Sequence, residues 1–226
     1  MRWLPLLLIG CAPRVPHVPG PLAAVGRHVR PPAAPPLPTS PVELPEPPER
    51  HTRPNAFQDA VVAAAERYLE VRPEGFRDDC SGYVTAVFDR VGVRLTGGAR
   101  DMYALAEDQH LLHHHKEPLP GDIAFFDDTY DADHDGRTND PLTHVAVVLS
   151  VDDDGTIHLA HGGTGRGRTT LTMNLYHPDQ RSDEDHVLND WLRRQKAGDP
   201  SNTRYFAGEL WRAFATVDPD AVSAAE

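Results

Sequence analysis

The stretch FRDDCSGYVTAVFDRVGV, Phe76 to Val93, decides the fold. Tyr83, Val84, Val87, Phe88 and Val91 recur at helical spacing, and Gly92 is a natural C-terminal stop. The spacing predicts a helix with Cys80 in its first turn, ahead of the apolar stripe. Asp78 and Asp79 come just before, and one of them is expected to cap the helix. A helix N-terminus carries unpaired N–H groups and about half a positive charge, which favours a thiolate and lowers a thiol pKa from about 8.5. A buried core cysteine is the commoner fate of this residue type, but a place ahead of the stripe speaks for chemistry. Gly82 leaves the approach to the sulfur open, and Ser81 or the Cys80 amide is placed to donate to an oxyanion.

Upstream, Asn55 is an N-cap for a helix AFQDAVVAAAERYLEV with Phe57, Val61, Ala64, Ala65, Tyr68 and Leu69 on one stripe. Downstream, a short helix is expected from Arg100 to Asp108. After LPGD, whose Pro120-Gly121 is a turn signal, the pattern changes to strands: IAFF, LTHVAVVLSV, TIHLAH and RTTLTMN. Asp152 to Gly155 reads as the tight turn of a hairpin. Helices followed by a run of strands predict an α+β domain over residues 55–175, with an antiparallel sheet packed against the Cys80 helix. Residues 176–226 read as a helical extension, with helices expected over Val187–Arg194 and Phe206–Phe214. There is no internal repeat.

The first 54 residues have another character. MRWLPLLLIGC has one positive charge, a short apolar run and a small residue before Cys11, which reads as an export signal over residues 1–11. Leu8-Ile9-Gly10-Cys11 resembles a bacterial lipobox, implying a lipidated Cys11 as membrane anchor; Ala12 behind it implies the outer membrane, facing the periplasm. From Ala12 to Pro54 there are fourteen prolines in 43 residues, a composition that forms an extended tether rather than a core. Two cysteines in 226 residues exclude a disulfide framework. Residues 1–54 carry six Lys/Arg against three acidic residues, leaving 16 against 31 beyond them. So acidic a remainder excludes a nucleic-acid partner and suits a neutral or basic substrate or a divalent cation. A monomer is expected.

A thiolate nucleophile needs a base, and His144 is the candidate. It begins the apolar strand THVAVVLS and shares a face with Ala146 and Val148. His161 ends the next strand; if the two strands are hairpin neighbours, it can lie beside His144 and orient the imidazole. His158 has the opposite parity and is expected to face away.

Taken together, DDCSGYVTAVFDRVGV, LPGDIAFF and LTHVAVVLSVDDDGTIHLAH with its following glycines resemble, in that order, the NlpC family (the NlpC/P60 superfamily) of cell-wall cysteine peptidases. The resemblance spans about Asn55 to Asn174. It implies a papain-like α+β fold and cleavage of peptide or amide bonds in peptidoglycan stem peptides. By position it implies Cys80 as nucleophile, His144 as base, His161 as third polar group and Tyr83 near the oxyanion region, with no cofactor required. The related CHAP amidases share the Cys/His order but less of the DCSG signature, and are the alternative. An inert cell-wall-binding domain and a calcium-responsive structural lipoprotein are the readings of other classes.

One insertion departs from the family pattern. DDTYDADHDGRTNDP separates IAFF from the His144 strand, and Asp131, Asp133 and Asp135 with Gly136 repeat the start of a calcium loop, where alternate carboxylates converge and glycine permits the turn. The twelfth position is Leu142 rather than a glutamate, so Asn139 or Asp140 is the candidate replacement. Because the insertion runs straight into His144, a bound calcium would set the position of the base. The run His113-His114-His115 cannot close on one zinc from adjacent residues and reads as a surface loop. Arg166 and Arg168 are candidates for a substrate carboxylate, with a solvated face the commoner use.

Overall fold

A computed structural model of the chain describes residues 54–219 apart from 166 and 185. The expected signal, Cys11, the tether up to residue 53 and Arg166 lie outside the described residues. The chain divides into units of residues 1–46 and 47–226, and the fold is that of the second.

Three helices come first: α1 (Ala56–Glu70), α2 (Cys80–Arg90) and α3 (Ala99–Asp108). Asn55 caps α1 by accepting from the Phe57 and Gln58 amides, while Gln58 reaches back to the Asn55 N–H, a complete capping box. Asp79 caps α2 through the Gly82 N–H at 2.6 Å. The strands are β1 (Leu112–His113), β2 (Ile123–Phe126), β3 (His144–Val151), β4 (Thr156–Thr164), β5 (Gly167–Asn174) and β6 (Trp211–Ala215), the last preceded by a single turn, α4 (Ala207–Leu210). They form one antiparallel sheet in the order β1-β6-β2-β3-β4-β5. The fold class is α+β, as the sequence predicts.

Both faces of the sheet are covered, which explains why IAFF and the start of β3 are apolar without alternation. One layer packs Val61 and Ala65 of α1, Val84, Val87 and Phe88 of α2, and Met102 of α3 against Phe125, Val145 and Val147. The other packs Phe126, Ala146, Val148, Leu159 and Met173 under Leu210 and Phe214. The LPGD turn has a physical cause. Gly121 has φ +90°, and a Cβ there would lie 3.1 Å from Gln58 of α1. Asp122, fully buried, accepts from the Leu119 N–H at 2.8 Å and meets His113 Nε2 at 3.1 Å.

The C-terminal segment corrects the expectation of a helical extension beginning at residue 176. Val187 to Arg194 forms no helix, only bends and isolated bridges at Val187 and Trp191. Residues 211–215 are strand β6, pairing with β1 and β2 inside the sheet, so the folded unit does not close at residue 175. The apolar residues of WRAFA suit either periodicity over so short a run, and the unsatisfied edge of β2 decides for a strand. Buried Asn189 ties this segment down: its Oδ1 accepts from the Asn174 and Gly208 amides at 3.0 Å, and its Nδ2 donates to the His177 and Gln180 carbonyls at 2.8 Å.

The His110–Glu117 segment is corrected in part as well. His113 belongs to β1 and its ring stacks on Phe214 at 5.6 Å, so it is pinned to the sheet.

Candidate active site

Three elements converge at one end of the sheet: the start of α2, the start of β3 and the end of β4. Hairpin geometry brings the last two together. Asp152 and Gly155 close the turn between β3 and β4, and Gly155 has φ +82°. Extending the Val147↔Ala160 register toward the strand ends sets Ala146 opposite His161. His144 and His161 are then diagonal neighbours on one face, and His144 Nε2 meets His161 Nδ1 at 2.8 Å with the rings edge to face. Both are buried. His158, of opposite parity, turns away to Asp152 at 2.7 Å.

Cys80 and His144 line the same cleft, of ≈ 940 Å³, together with Ser81, Asp101, Asp140 and Gly163. Cys80 Sγ is half-buried and lies 3.8 Å from Ser81 Oγ. Among the described residues no hydrogen bond joins Sγ to the His144 ring. Nε2 of that ring is engaged by His161, so Nδ1 is the nitrogen left for a partner in the cleft.

Glycine is required where β4 passes α2. Gly163 has φ +72°, and a Cβ on it would lie 2.6 Å from the Cys80 nitrogen and 2.7 Å from Asp79 Cα. The GG that follows TIHLAH in the sequence is therefore a close approach of the β4 backbone to the head of α2 that leaves no room for a side chain.

The protonation states differ from the expectation of a lowered thiol pKa. Burial pushes the Cys80 thiol up from its ordinary value; hydrogen bonds from Ser81 and Val145 pull it back in part, and Asp79 raises it further. Desolvation outweighs the helix terminus. Burial also lowers His144 to about 3, helped by the neighbouring His161. His161 is lowered to about 4 by burial, against a small opposing pull from Asp190. The resting pair at neutral pH is a thiol and a neutral imidazole.

Tyr83 is not where the resemblance implies. It is 2% exposed, and its hydroxyl donates to the Ala65 carbonyl of α1 at 2.6 Å, so it belongs to the helix–helix core and not to the cleft. The helical stripe that includes Tyr83 already places it there. Arg168 pairs with Asp78 at 3.6 Å and is 19% exposed, joining β5 to the loop before α2 rather than facing the cleft.

The expected acidic loop is rearranged. Asp131 and Asp133 do converge, but their third partner is Asp140: one oxygen of each lies within 4.8 Å of the others. Asp135 is occupied with Arg137, accepting from its amide at 2.8 Å and facing its guanidinium at 3.7 Å. Among the described residues no other cluster of His, Cys, Asp and Glu has metal-ligating geometry, the histidine run included.

Comparison with known proteins bears on the same region. Residues 71–163 match the family profile of the CHAP domain. Over those residues, about two fifths of the chain, the sequence is similar to that family. The match takes in Cys80, His144 and His161. A crystal structure from Staphylococcus aureus, of a protein described as similar to a lipoprotein of the NLP/P60 family, is 23% identical with a TM-score of 0.36, over 61% of this chain and 41% of that one. The chain thus spans less than half the length of that protein. No curated protein matches the chain significantly. No described helix is long and apolar enough to cross a membrane.

Proposed function

We propose that this protein is a cysteine hydrolase that cleaves peptide or amide bonds of peptidoglycan stem peptides in the bacterial envelope. The observation that carries the reading is the buried His144–His161 contact, 2.8 Å long, opening on the cleft that Cys80 enters from the head of α2. A neutral imidazole with Nε2 engaged holds Nδ1 ready to accept a proton.

In this reaction the substrate carbonyl settles in the cleft beside Sγ, and the thiol proton passes to His144 Nδ1 as sulfur attacks. The electron pair displaced onto the carbonyl oxygen is met by the Cys80 amide at the head of α2, with Ser81 alongside. Collapse of the tetrahedral adduct breaks the C–N bond, and the proton on His144 goes to the leaving amine. Water, deprotonated by the same imidazole, then releases the acid from the thioester. His161 fixes the tautomer and tilt of His144 and stabilises its transient positive charge. Burial makes the resting thiol reluctant to ionise, so the base must act in the attack itself. Export by the leader and anchoring through Cys11, with the proline-rich segment as a leash, put this activity at the outer membrane facing the wall.

The chain with Cys80→Ala, incubated with purified sacculi, should release no muropeptide fragments above background while keeping the circular dichroism of the native protein. Mass spectrometry of the wild-type products names the bond and separates endopeptidase from amidase action. Undiminished release by the alanine variant would refute the assignment.

A further inference from the structure

We propose that Asp131, Asp133 and Asp140 bind one calcium ion, and that the ion holds the segment that delivers His144 to the cleft. The first ground is convergence. Three carboxylates from both ends of the β2–β3 insertion each bring an oxygen within 4.8 Å of the others. The second is independent of it. Asp140 is 4% exposed, and its Oδ2 is buried with no hydrogen-bond partner; Asp131 Oδ1 is in the same condition. A buried carboxylate oxygen without a donor, facing two further carboxylates, is an arrangement that a cation stabilises and its absence does not.

The donor set selects the ion. It is all oxygen, with neither imidazole nor thiolate, and therefore suits a hard divalent cation. The site is a loop rather than a rigid cage, and Gly136 at φ +78° makes the turn that bends it back, a setting that accommodates the larger and less directional calcium better than magnesium. The loop does not follow the spacing of its own motif. Asp135, the third alternate carboxylate, is spent on Arg137, and Asp140 takes its place from the far side of the loop.

Asp140 is joined both to the sheet and to the base. Its N–H donates to Asp128 Oδ1 at 2.6 Å, and its carbonyl accepts from the Asp128 N–H at 2.8 Å. Three residues on, Thr143 Oγ1 accepts from the Thr129 N–H at 2.9 Å, and the Thr143 N–H donates to the Phe126 carbonyl at 2.9 Å. His144 follows directly. Asp133 and Asp140 line the same cleft as Cys80 and His144, so the ion would sit in its wall.

Calcium binding is independent of the hydrolase reading; only the effect on turnover rests on it. The full chain, stripped with chelator, is titrated with calcium chloride in a calorimeter, and thermal melts are recorded with and without the ion. One site per chain and a raised melting temperature are expected, with magnesium binding at least tenfold more weakly. Asp140→Asn and Asp133→Asn should each weaken calcium at least tenfold, Asp133→Asn being the exposed position where misfolding is not a concern. Asp135→Asn should leave affinity within about twofold, and Cys80→Ala should bind as wild type does. No calcium heat and no thermal shift, loss of binding by Asp135→Asn with Asp133→Asn unaffected, or equal affinity for magnesium overturns the proposal. Sacculus hydrolysis should fall in chelator and return with calcium. Binding without any such dependence would overturn the coupling to His144.

Discussion

Lowering the pH from 7 to 5 perturbs the imidazole pair without changing a residue. His144 and His161 are held neutral in the fold, at about 3 and about 4, with burial the main cause for each. A histidine whose folded pKa lies below its unfolded value of about 6.5 contributes stability above that value, where neither state binds the proton. As pH falls through 6.5 only the unfolded chain is protonated, and the contribution is lost until the folded pKa is reached. Between pH 7 and 5 each ring accounts for a loss of about 2 kcal/mol by linkage, and the pair for about 4 kcal/mol. In a fold of this size that corresponds to roughly 10 °C of melting temperature. Urea unfolding at the two pH values, for the wild type and for the double variant His144→Gln/His161→Gln, isolates the term. The exposed histidines are common to both proteins and cancel in the difference. The wild type should lose about 4 kcal/mol more than the variant over this interval. Equal losses would mean that one imidazole is already charged or open to water in the fold, and the neutral thiol–imidazole resting state would fall with it.

Two further outcomes test the framework around the site. Gly163→Ala places a Cβ 2.6 Å from the Cys80 nitrogen in a left-handed conformation, and should cost about 2–4 kcal/mol and depress sacculus turnover; Gly165→Ala, with open space around it, should leave the melting temperature within about a degree. Equal melting temperatures for the two would remove the close approach from the account. A chain ending at Leu175 lacks β6 and with it Phe214, a fully buried side chain whose truncation alone is worth about 3–5 kcal/mol; it should show no cooperative thermal transition, and a melt like that of the full chain would show β6 to be dispensable.

The elements of the candidate site were legible because each is announced locally. The cap, the stripe and the glycine stop of α2 lie within eighteen consecutive residues, and the His144–His161 contact follows from strand parity and one tight turn. The C-terminal segment was not legible for the opposite reason. WRAFA carries no decisive period, and its place between β1 and β2 depends on an edge formed by residues far away in sequence. Tyr83 was misassigned for a third reason: a position in a motif says nothing about whether a hydroxyl is already spent, here on Ala65.

By itself the sequence determined the α+β class, the cysteine at a helix start, the two histidines on paired strands and an acidic insertion before His144, since capping, periodicity and turn chemistry act over a few residues. Tertiary structure alone decided that β6 completes the sheet, that Asp140 and not Asp135 joins Asp131 and Asp133, and that the Cys80 thiol and its imidazole rest uncharged. Those three depend on burial and on contacts between distant segments, and desolvation is a property of the packed molecule that no local pattern encodes.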